Sequence, residues 1–321
     1  MYLQTSFLTL VTTTALIISA SSPCEGILPN GKVKVAAICI GTGGADYETK
    51  MAQAVENLQI AGENGVNIAC LPEAFATNDP ETIPGKTTEA IARLAKQYGM
   101  YIICPIYEKA RDKVYNTAVL IDRNGEIADC YRKVFVFWGE DVNLSEEGVK
   151  TFDTDFGKIA ILTCFDLNFA ELWHDADAQS TEIVFWPSAY GGGMPLNAYG
   201  MLYHYYIVPV GWGNIIDITG ENMKDVISPK EKLYIADLDT DRTFIHENFT
   251  GEKVKKLLED HKDEVVMEKH YPMEAWWLLR SVKDGVSVRK LCREYGIETL
   301  REYQHRSRQQ INEIRKVDGK V

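Results

Sequence analysis

The chain has 321 residues, of which 45% are hydrophobic and 25% are charged, which excludes a disordered chain or one held together mainly by disulfides. Its 34 Lys and Arg residues against 46 Asp and Glu residues give a net charge of −12. This acidic balance argues against a protein that wraps nucleic acid or lies on an anionic membrane, so small-molecule chemistry is the more natural expectation.

The first 26 residues differ from the rest and predict a signal peptide, residues 1–26. Within them, residues 7–20 (FLTLVTTTALIISA) form an apolar stretch. It is too short and too polar to span a bilayer, but it suits the hydrophobic region of a secretory signal. We therefore expect a secreted or periplasmic protein without stable membrane insertion, with a cytoplasmic chain as the alternative.

After residue 32, short β-branched segments alternate with segments of helical periodicity. Residues 47–63, for example, carry apolar side chains at three- and four-residue spacing, as an amphipathic helix requires. Such alternation predicts layered α/β architecture. The predicted strands are 32–40, 66–71, 101–107, a hairpin at 115–133, 157–163, 182–186 and 232–239. The predicted helices are 47–63, 89–98, one that begins near Asp166, and 250–261.

The C-terminal part has a different composition. From residue 271 onward the pattern predicts helices, and residues 283–321 carry ten Lys or Arg against six Asp or Glu. We therefore divide the chain into an α/β domain at 32–245 and a helical C-terminal extension at 246–321.

Three residues suited to catalysis share one context, because each lies at or just beyond the end of a predicted strand. They are Glu73, Lys133 and Cys164. In open α/β folds catalytic groups converge at that edge of a sheet. Cys164 also precedes a predicted helix start, whose N–H groups stabilise a thiolate.

The segments around these residues resemble the nitrilase or carbon-nitrogen hydrolase superfamily, whose signature is a Glu, a Lys and a Cys in that order. The matching segments are LPEAF (71–75), YRKVFVFWGE (131–140) and FGKIAILTCFDLNFAELW (156–173). The resemblance covers roughly residues 33–240, and the segment TFDTDFGKIAILTCFD (151–166) is most similar to the secreted vanin and biotinidase branch. It implies a four-layer αββα sandwich that forms a homodimer or a higher homo-oligomer.

The residue types indicate their roles in such a site. A Cys164 thiolate would attack an amide carbonyl or a nitrile carbon, and Glu73 would take the thiol proton and later activate water. Lys133 and the backbone N–H of Phe165 would stabilise the oxyanion. By resemblance Glu140 holds the lysine and the substrate, although an ordinary loop acid is the alternative.

The resemblance also implies residues that line the substrate pocket. Tyr115 and Asn116 would brace the edge of the site, although both residue types are as often structural at such a position. Ser188, Ala189, Tyr190 and the glycines at 191–193 would line the pocket, although three glycines also suit a flexible surface turn.

No metal or cofactor is implied by the seven cysteines or the six histidines, which show neither CxxC nor HExxH spacing. We therefore expect cofactor-free hydrolysis of a linear amide or an N-carbamoyl compound. The alternatives are nitrile hydrolysis, acyl transfer to an amine, and a non-catalytic binding protein. For the last of these, residues 287–311 faintly resemble a helix-turn-helix, but we prefer an arm that packs on a neighbouring subunit and expect no nucleic acid partner.

Overall fold

The computed structural model describes residues 31–42 and 46–317. The predicted signal peptide lies outside the described residues. Within the described ranges, no helix is both long enough and apolar enough to cross a membrane.

Two β-sheets form the centre of the molecule. The larger sheet has seven strands in the order β10-β11-β1-β2-β3-β4-β5, and the smaller has four in the order β6-β7-β8-β9. Strands β1, β2 and β3 are parallel, as are β7, β8 and β9. The strands of the larger sheet are β1 (Lys32–Ile38), β2 (Ile68–Cys70), β3 (Tyr101–Ala110), β4 (Lys113–Ile121), β5 (Ile127–Arg132), β10 (Ile227–Lys230) and β11 (Leu233–Asp239). Those of the smaller sheet are β6 (Thr151–Thr154), β7 (Gly157–Ile161), β8 (Ile183–Pro187) and β9 (Tyr206–Val210).

Helices cover the outer faces of the two sheets. They are α1 (Tyr47–Glu63), α2 (Lys86–Tyr98), α3 (Ala170–Ala178) and α4 (Met194–Tyr203). Along β4, Ala118 faces the core between the sheets, whereas Val119 faces α1 and α2, as the two-residue period of a strand requires. The predicted four-layer αββα sandwich is confirmed.

The extension is not purely helical. It contains a three-stranded antiparallel sheet in the order β12-β14-β13 and three helices. Its elements are β12 (Thr243–His246), α5 (Gly251–Asp260), β13 (Val265–Tyr271), β14 (Trp276–Ser281), α6 (Val288–Glu294) and α7 (Leu300–Val317). The prediction of helix from residue 271 onward is therefore wrong for β14. There Trp277 and Leu279 face the core of the extension and Leu278 faces the body, an alternation that a short apolar run does not reveal.

Helices α6 and α7 dock on the same chain. The guanidinium of Arg289 pairs with Glu182 at 2.7 Å, and Asp177 pairs with Arg301 at 3.0 Å and His305 at 2.9 Å. Residues 289–305 therefore contact the body of their own chain, and the expected packing on a neighbouring subunit stays a prediction. Glu182 directly precedes β8, so the extension lies against the edge where the parallel strands of the smaller sheet begin.

Asp241 joins the body to the extension. Its buried carboxylate accepts hydrogen bonds from the Ser287 hydroxyl at 2.6 Å and from the Val288 N–H at 2.6 Å, both at the start of α6.

We predict that Asp241→Ala lowers the free energy of unfolding by about 2 to 4 kcal/mol, because it leaves buried donors without partners. Urea denaturation measures this. The matched control is Asp284→Ala, whose exposed carboxylate lies 3.8 Å from Lys32 and is expected to contribute less than about 0.5 kcal/mol. Equal losses in the two variants would contradict the assignment.

Candidate active site

The ends of three strands bring the predicted catalytic residues together. Glu73 lies three residues after β2, Lys133 directly follows β5, and Cys164 lies three residues after β7. The first two strands belong to the larger sheet and the third to the smaller sheet. The Lys133 ammonium lies 2.9 Å from a Glu73 carboxylate oxygen, and the charges of both act on the Cys164 thiol. The site therefore lies where the two sheets meet.

Lys133 is a buried cation held by two carboxylates. Only 1% of its surface is exposed, and its Nζ donates to Glu73 and to Glu140. Asn116 donates to the same two carboxylates, at 2.8 Å to Glu73 and 3.1 Å to Glu140. Burial opposes the charge on Lys133, but Glu73, Cys164 and Glu140 overcome it and raise its pKa. Glu140 is therefore placed as a partner of the lysine rather than as an isolated loop acid.

The nucleophile sits on a constrained turn. Cys164 has a φ of 47°, in the left-handed region that a residue with a Cβ rarely adopts. It begins a short 3-10 helix, Cys164–Asn168. The wholly buried Asp166 holds this turn, because its carboxylate accepts from the N–H of Thr163, the N–H of Phe135 and the hydroxyl of Tyr131, each at 2.8 Å.

Asp166 ties the turn of the nucleophile to the loop that follows Lys133. Burial raises its pKa to about 6. Asp166 is not among the predicted site residues, although an acid inside an otherwise apolar segment is a signal, since a buried carboxylate must find hydrogen-bond partners.

The Cys164 thiol is not activated as predicted. Burial and the charge of Glu73 raise its pKa to about 12, although Lys133, the Ala189 N–H and the Ser188 hydroxyl act in the opposite direction. The predicted helix start at Cys164 is a single 3-10 turn of five residues, and burial together with Glu73 outweighs the groups that favour a thiolate. A neutral thiol at rest needs a neighbouring base, and Glu73 is placed to be one.

The loop after β8 is fixed rather than flexible. Its Ala189 N–H donates to Glu73 at 3.0 Å, and the Tyr190 N–H donates to the Ser188 hydroxyl at 3.0 Å. Gly192 has a φ of 67°, and a Cβ there would lie 2.8 Å from the Trp186 ring. The indole of Trp186 in turn donates to the Cys164 carbonyl at 3.1 Å. The absence of a side chain at Gly192 lets the loop approach Trp186, which holds the Cys164 backbone.

Successive side chains of β3 and β4 point to opposite faces of the sheet, and this alternation determines which aromatic residue faces the site. Tyr115 lies on the opposite face from Asn116, where the Arg132 guanidinium covers its ring at 4.6 Å, so its predicted pocket role is wrong. Tyr107, which pairs with Asn116 across the strands, takes the place instead. Burial and the charges of Glu140 and Glu73 raise its pKa to about 12. The pairing register that would have identified Tyr107 is not readable from one strand alone.

The described residues offer no group of three His, Cys, Asp or Glu side chains placed to hold a metal ion. The chemistry available from the residues described above is that of a thiol, a carboxylate, an ammonium and backbone N–H donors. These are the parts needed for nucleophilic attack, proton transfer and stabilisation of an oxyanion.

Residues 34–243 match the family model of carbon-nitrogen hydrolases, and the chain belongs to this family. The β-ureidopropionase of Arabidopsis thaliana is 36% identical over 153 residues, which are 41% of this chain and 38% of that protein. The deaminated glutathione amidase of Homo sapiens is 29% identical over 206 residues, or 55% of this chain and 60% of the relative. The matches thus span only part of these curated relatives. The similarity to the vanin and biotinidase branch stays a prediction.

Solved structures share the fold. A Saccharomyces cerevisiae member of branch 10 of the nitrilase superfamily matches with a TM-score of 0.57 at 20% identity, covering 65% of this chain and 90% of that one. An amidase from Nesterenkonia sp. matches with a TM-score of 0.56 at 18% identity, covering 68% and 94%.

The pKa of Cys164 leads to a prediction about Glu73→Gln. Removing the charge of Glu73 leaves Lys133 as a cation beside the thiol, so the pKa of Cys164 falls and its thiolate fraction rises. We expect Cys164 in this variant to react with iodoacetamide at pH 8 at least tenfold faster than in the wild type, measured by mass spectrometry of the Cys164 peptide.

The wild-type alkylation rate should still rise with pH beyond pH 9, because the higher pKa of its Cys164 thiol moves thiolate formation to higher pH than in the variant. Glu108→Gln is the matched control, since that carboxylate pairs with Arg132 on another face of the sheet, and the variant should leave the rate unchanged. Slower alkylation in Glu73→Gln would refute this account of the thiol.

Proposed function

We propose that the chain hydrolyses non-peptide C–N bonds of linear amides or N-carbamoyl compounds through a thioester on Cys164. The observation that carries this proposal is the convergence of a thiol, a buried carboxylate and a buried ammonium from strands of two sheets. Supporting it, a structure of a mutant of the Nesterenkonia sp. amidase shows the acetamide moiety of fluoroacetamide added covalently at the active-site cysteine. The names of curated relatives also point to amide and ureido substrates.

The first half of the reaction forms the thioester. The thiol proton of Cys164 passes to Glu73 while Sγ bonds to the substrate carbonyl carbon, and the carbonyl oxygen becomes an oxyanion. The Lys133 ammonium and the Phe165 N–H stabilise that oxygen. Glu73 then gives its proton to the nitrogen, the C–N bond breaks, and ammonia or an amine leaves.

The second half returns the enzyme to its resting state. A water molecule gives a proton to Glu73 and its oxygen attacks the thioester carbon. The C–S bond then breaks, the acid product forms, and the proton on Glu73 returns to the sulfur of Cys164. Glu73 therefore alternates between base and acid in both halves.

The contacts explain why Lys133 does not act as the base. Its raised pKa keeps the ammonium protonated, and the carboxylates of Glu73 and Glu140 accept its hydrogen bonds. A fixed ammonium suits electrostatic stabilisation, because it needs no rearrangement when the oxyanion forms. Asn116 keeps Glu73 and Glu140 in position around it.

The test is ammonia or amine release from amides, carbamoyl amines and nitriles by the wild type and Cys164→Ala. We expect the variant to lose activity by about 10³-fold or more, since attack on the carbon has no substitute nucleophile. Cys130→Ala is the control, because this thiol lies on β5 outside the site.

Activity that survives in Cys164→Ala would refute the mechanism. Release from nitriles alone would favour nitrile hydrolysis, and product that forms only with an added amine would favour acyl transfer. Silence on every compound would favour a binding role.

We also propose that the chain is exported and that it forms a homo-oligomer. The apolar stretch at residues 7–20 supports export, and the resemblance to the superfamily supports oligomerisation. Expression of the full chain in a bacterial host should yield a periplasmic product that lacks about 20 to 26 N-terminal residues by mass, and light scattering should give at least twice the chain mass. Full-length cytosolic product would contradict export, and a monomer would contradict oligomerisation.

A further inference from the structure

Aromatic side chains flank Cys164 on the side of the Lys133 loop. The ring of Phe165, the residue after the nucleophile, lies 5.6 Å from the ring of Phe137, and Phe137 lies 5.3 Å from Trp138. Trp138 is 88% exposed. These three rings form a continuous path from the nucleophile to the surface, which we call the Trp138 wall.

A second aromatic path begins on the loop after β8. The Tyr190 ring lies 5.2 Å from the ring of Trp186, whose indole donates to the Cys164 carbonyl at 3.1 Å. The backbone of the next residue, Gly191, packs under the indole of Trp212, since a Cβ at Gly191 would lie 3.1 Å from that ring. Trp212 is 69% exposed. We call Tyr190 and Trp212 the Trp212 wall.

Each of the two walls ends in an exposed indole, that of Trp138 or that of Trp212. Large aromatic side chains are normally buried, and apolar surface that is contiguous and exposed marks a binding site. The Trp138 wall starts at Phe165, directly after Cys164, and the Trp212 wall starts at Tyr190, directly after the residue whose N–H bonds Glu73. An apolar group attached to the reacting carbonyl carbon would therefore cover them.

The charge of the surrounding loops restricts that group further. Residues 134–147, 165–171, 188–194 and 211–214 contain no Lys, Arg or His, while 134–147 alone contain four acids. Lys133 is already paired with two carboxylates. Of the four acids, Glu140 and Glu147 are paired with cations, which leaves Asp141 and Glu146. A carboxylate on the substrate would meet their negative charge without a free cation among these segments, so a negatively charged acyl group is disfavoured.

The position of Glu73 orients the substrate. Glu73 is 5% exposed and must reach the leaving nitrogen, so that nitrogen points inward and the acyl chain points toward the exposed walls. We propose, resting on the proposed hydrolase function, that the substrate is a primary amide of an uncharged acid whose acyl chain carries an apolar or aromatic group that packs on Trp138 and Trp212.

The experiment compares three primary amides on the full chain. They are butyramide, 4-phenylbutyramide and glutaramic acid, which share a short acyl chain and differ in its end. We expect kcat/KM for 4-phenylbutyramide to exceed that for butyramide by tenfold or more, and glutaramic acid to be the poorest of the three. Preference for glutaramic acid would overturn the proposal.

Variants of the walls locate the effect. Trp138→Ala and Trp212→Ala should each lower kcat/KM for 4-phenylbutyramide about three- to tenfold, as expected for one lost aromatic contact, mainly through KM. The loss on butyramide should be smaller than the loss on 4-phenylbutyramide, because butyramide lacks the ring that would contact the indole. Phe249→Ala is the control, because Phe249 is an aromatic residue 95% exposed on the extension. Equal losses on both substrates, or none, would overturn the role of the walls.

The outcomes separate this inference from the function on which it rests. Turnover of butyramide that needs Cys164, with no gain from the phenyl group, would refute the inference and leave the hydrolase intact. Absence of turnover with all three amides and with the wider amide and nitrile panel would refute the hydrolase and the inference together.

Discussion

The constraint on which the site depends is the burial of the Lys133 ammonium. A cation removed from water costs several kcal/mol unless carboxylates and hydrogen bonds replace its hydration, and here Glu73, Glu140 and Asn116 supply them. The second oxygen of Glu73 accepts from the Ala189 N–H. One carboxylate therefore links the end of β2, the lysine after β5 and the loop after β8, and so couples the two sheets at the site.

This arrangement also explains the chemistry of the thiol. Burial and the charge of Glu73 raise the pKa of the Cys164 thiol, and the neighbouring Lys133 ammonium offsets this only in part. The raised pKa favours the protonated thiol at neutral pH, which disfavours alkylation and oxidation because both require thiolate. Glu73 is then both the partner that fixes the lysine and the base that releases the nucleophile when a substrate carbonyl is present.

Much of the site could be predicted from the sequence because its residues follow recognisable strand ends. Glu73, Lys133, Cys164, Glu140 and Asn116 lie in or beside segments that resemble the superfamily, and the structure brings them together. Tyr107 could not be identified because its position depends on the register of two strands. In the same way, the apolar run at β14 is too short to show whether its period is that of a strand or of a helix. The sequence therefore predicts helix where the structure has a strand.

The fold separates catalysis from the extension. Cys164 and Ser188 follow the carboxyl ends of β7 and β8, whereas Arg289 of the extension binds Glu182 at the start of β8. The parallel strands thus place the reacting groups at one edge and the extension at the other. The position of the nucleophile does not depend on the extension, because the turn at Cys164 is fixed by Asp166 and by Trp186, both of which belong to the αββα body. The extension can therefore stabilise the body without contributing a group to the bond-breaking steps.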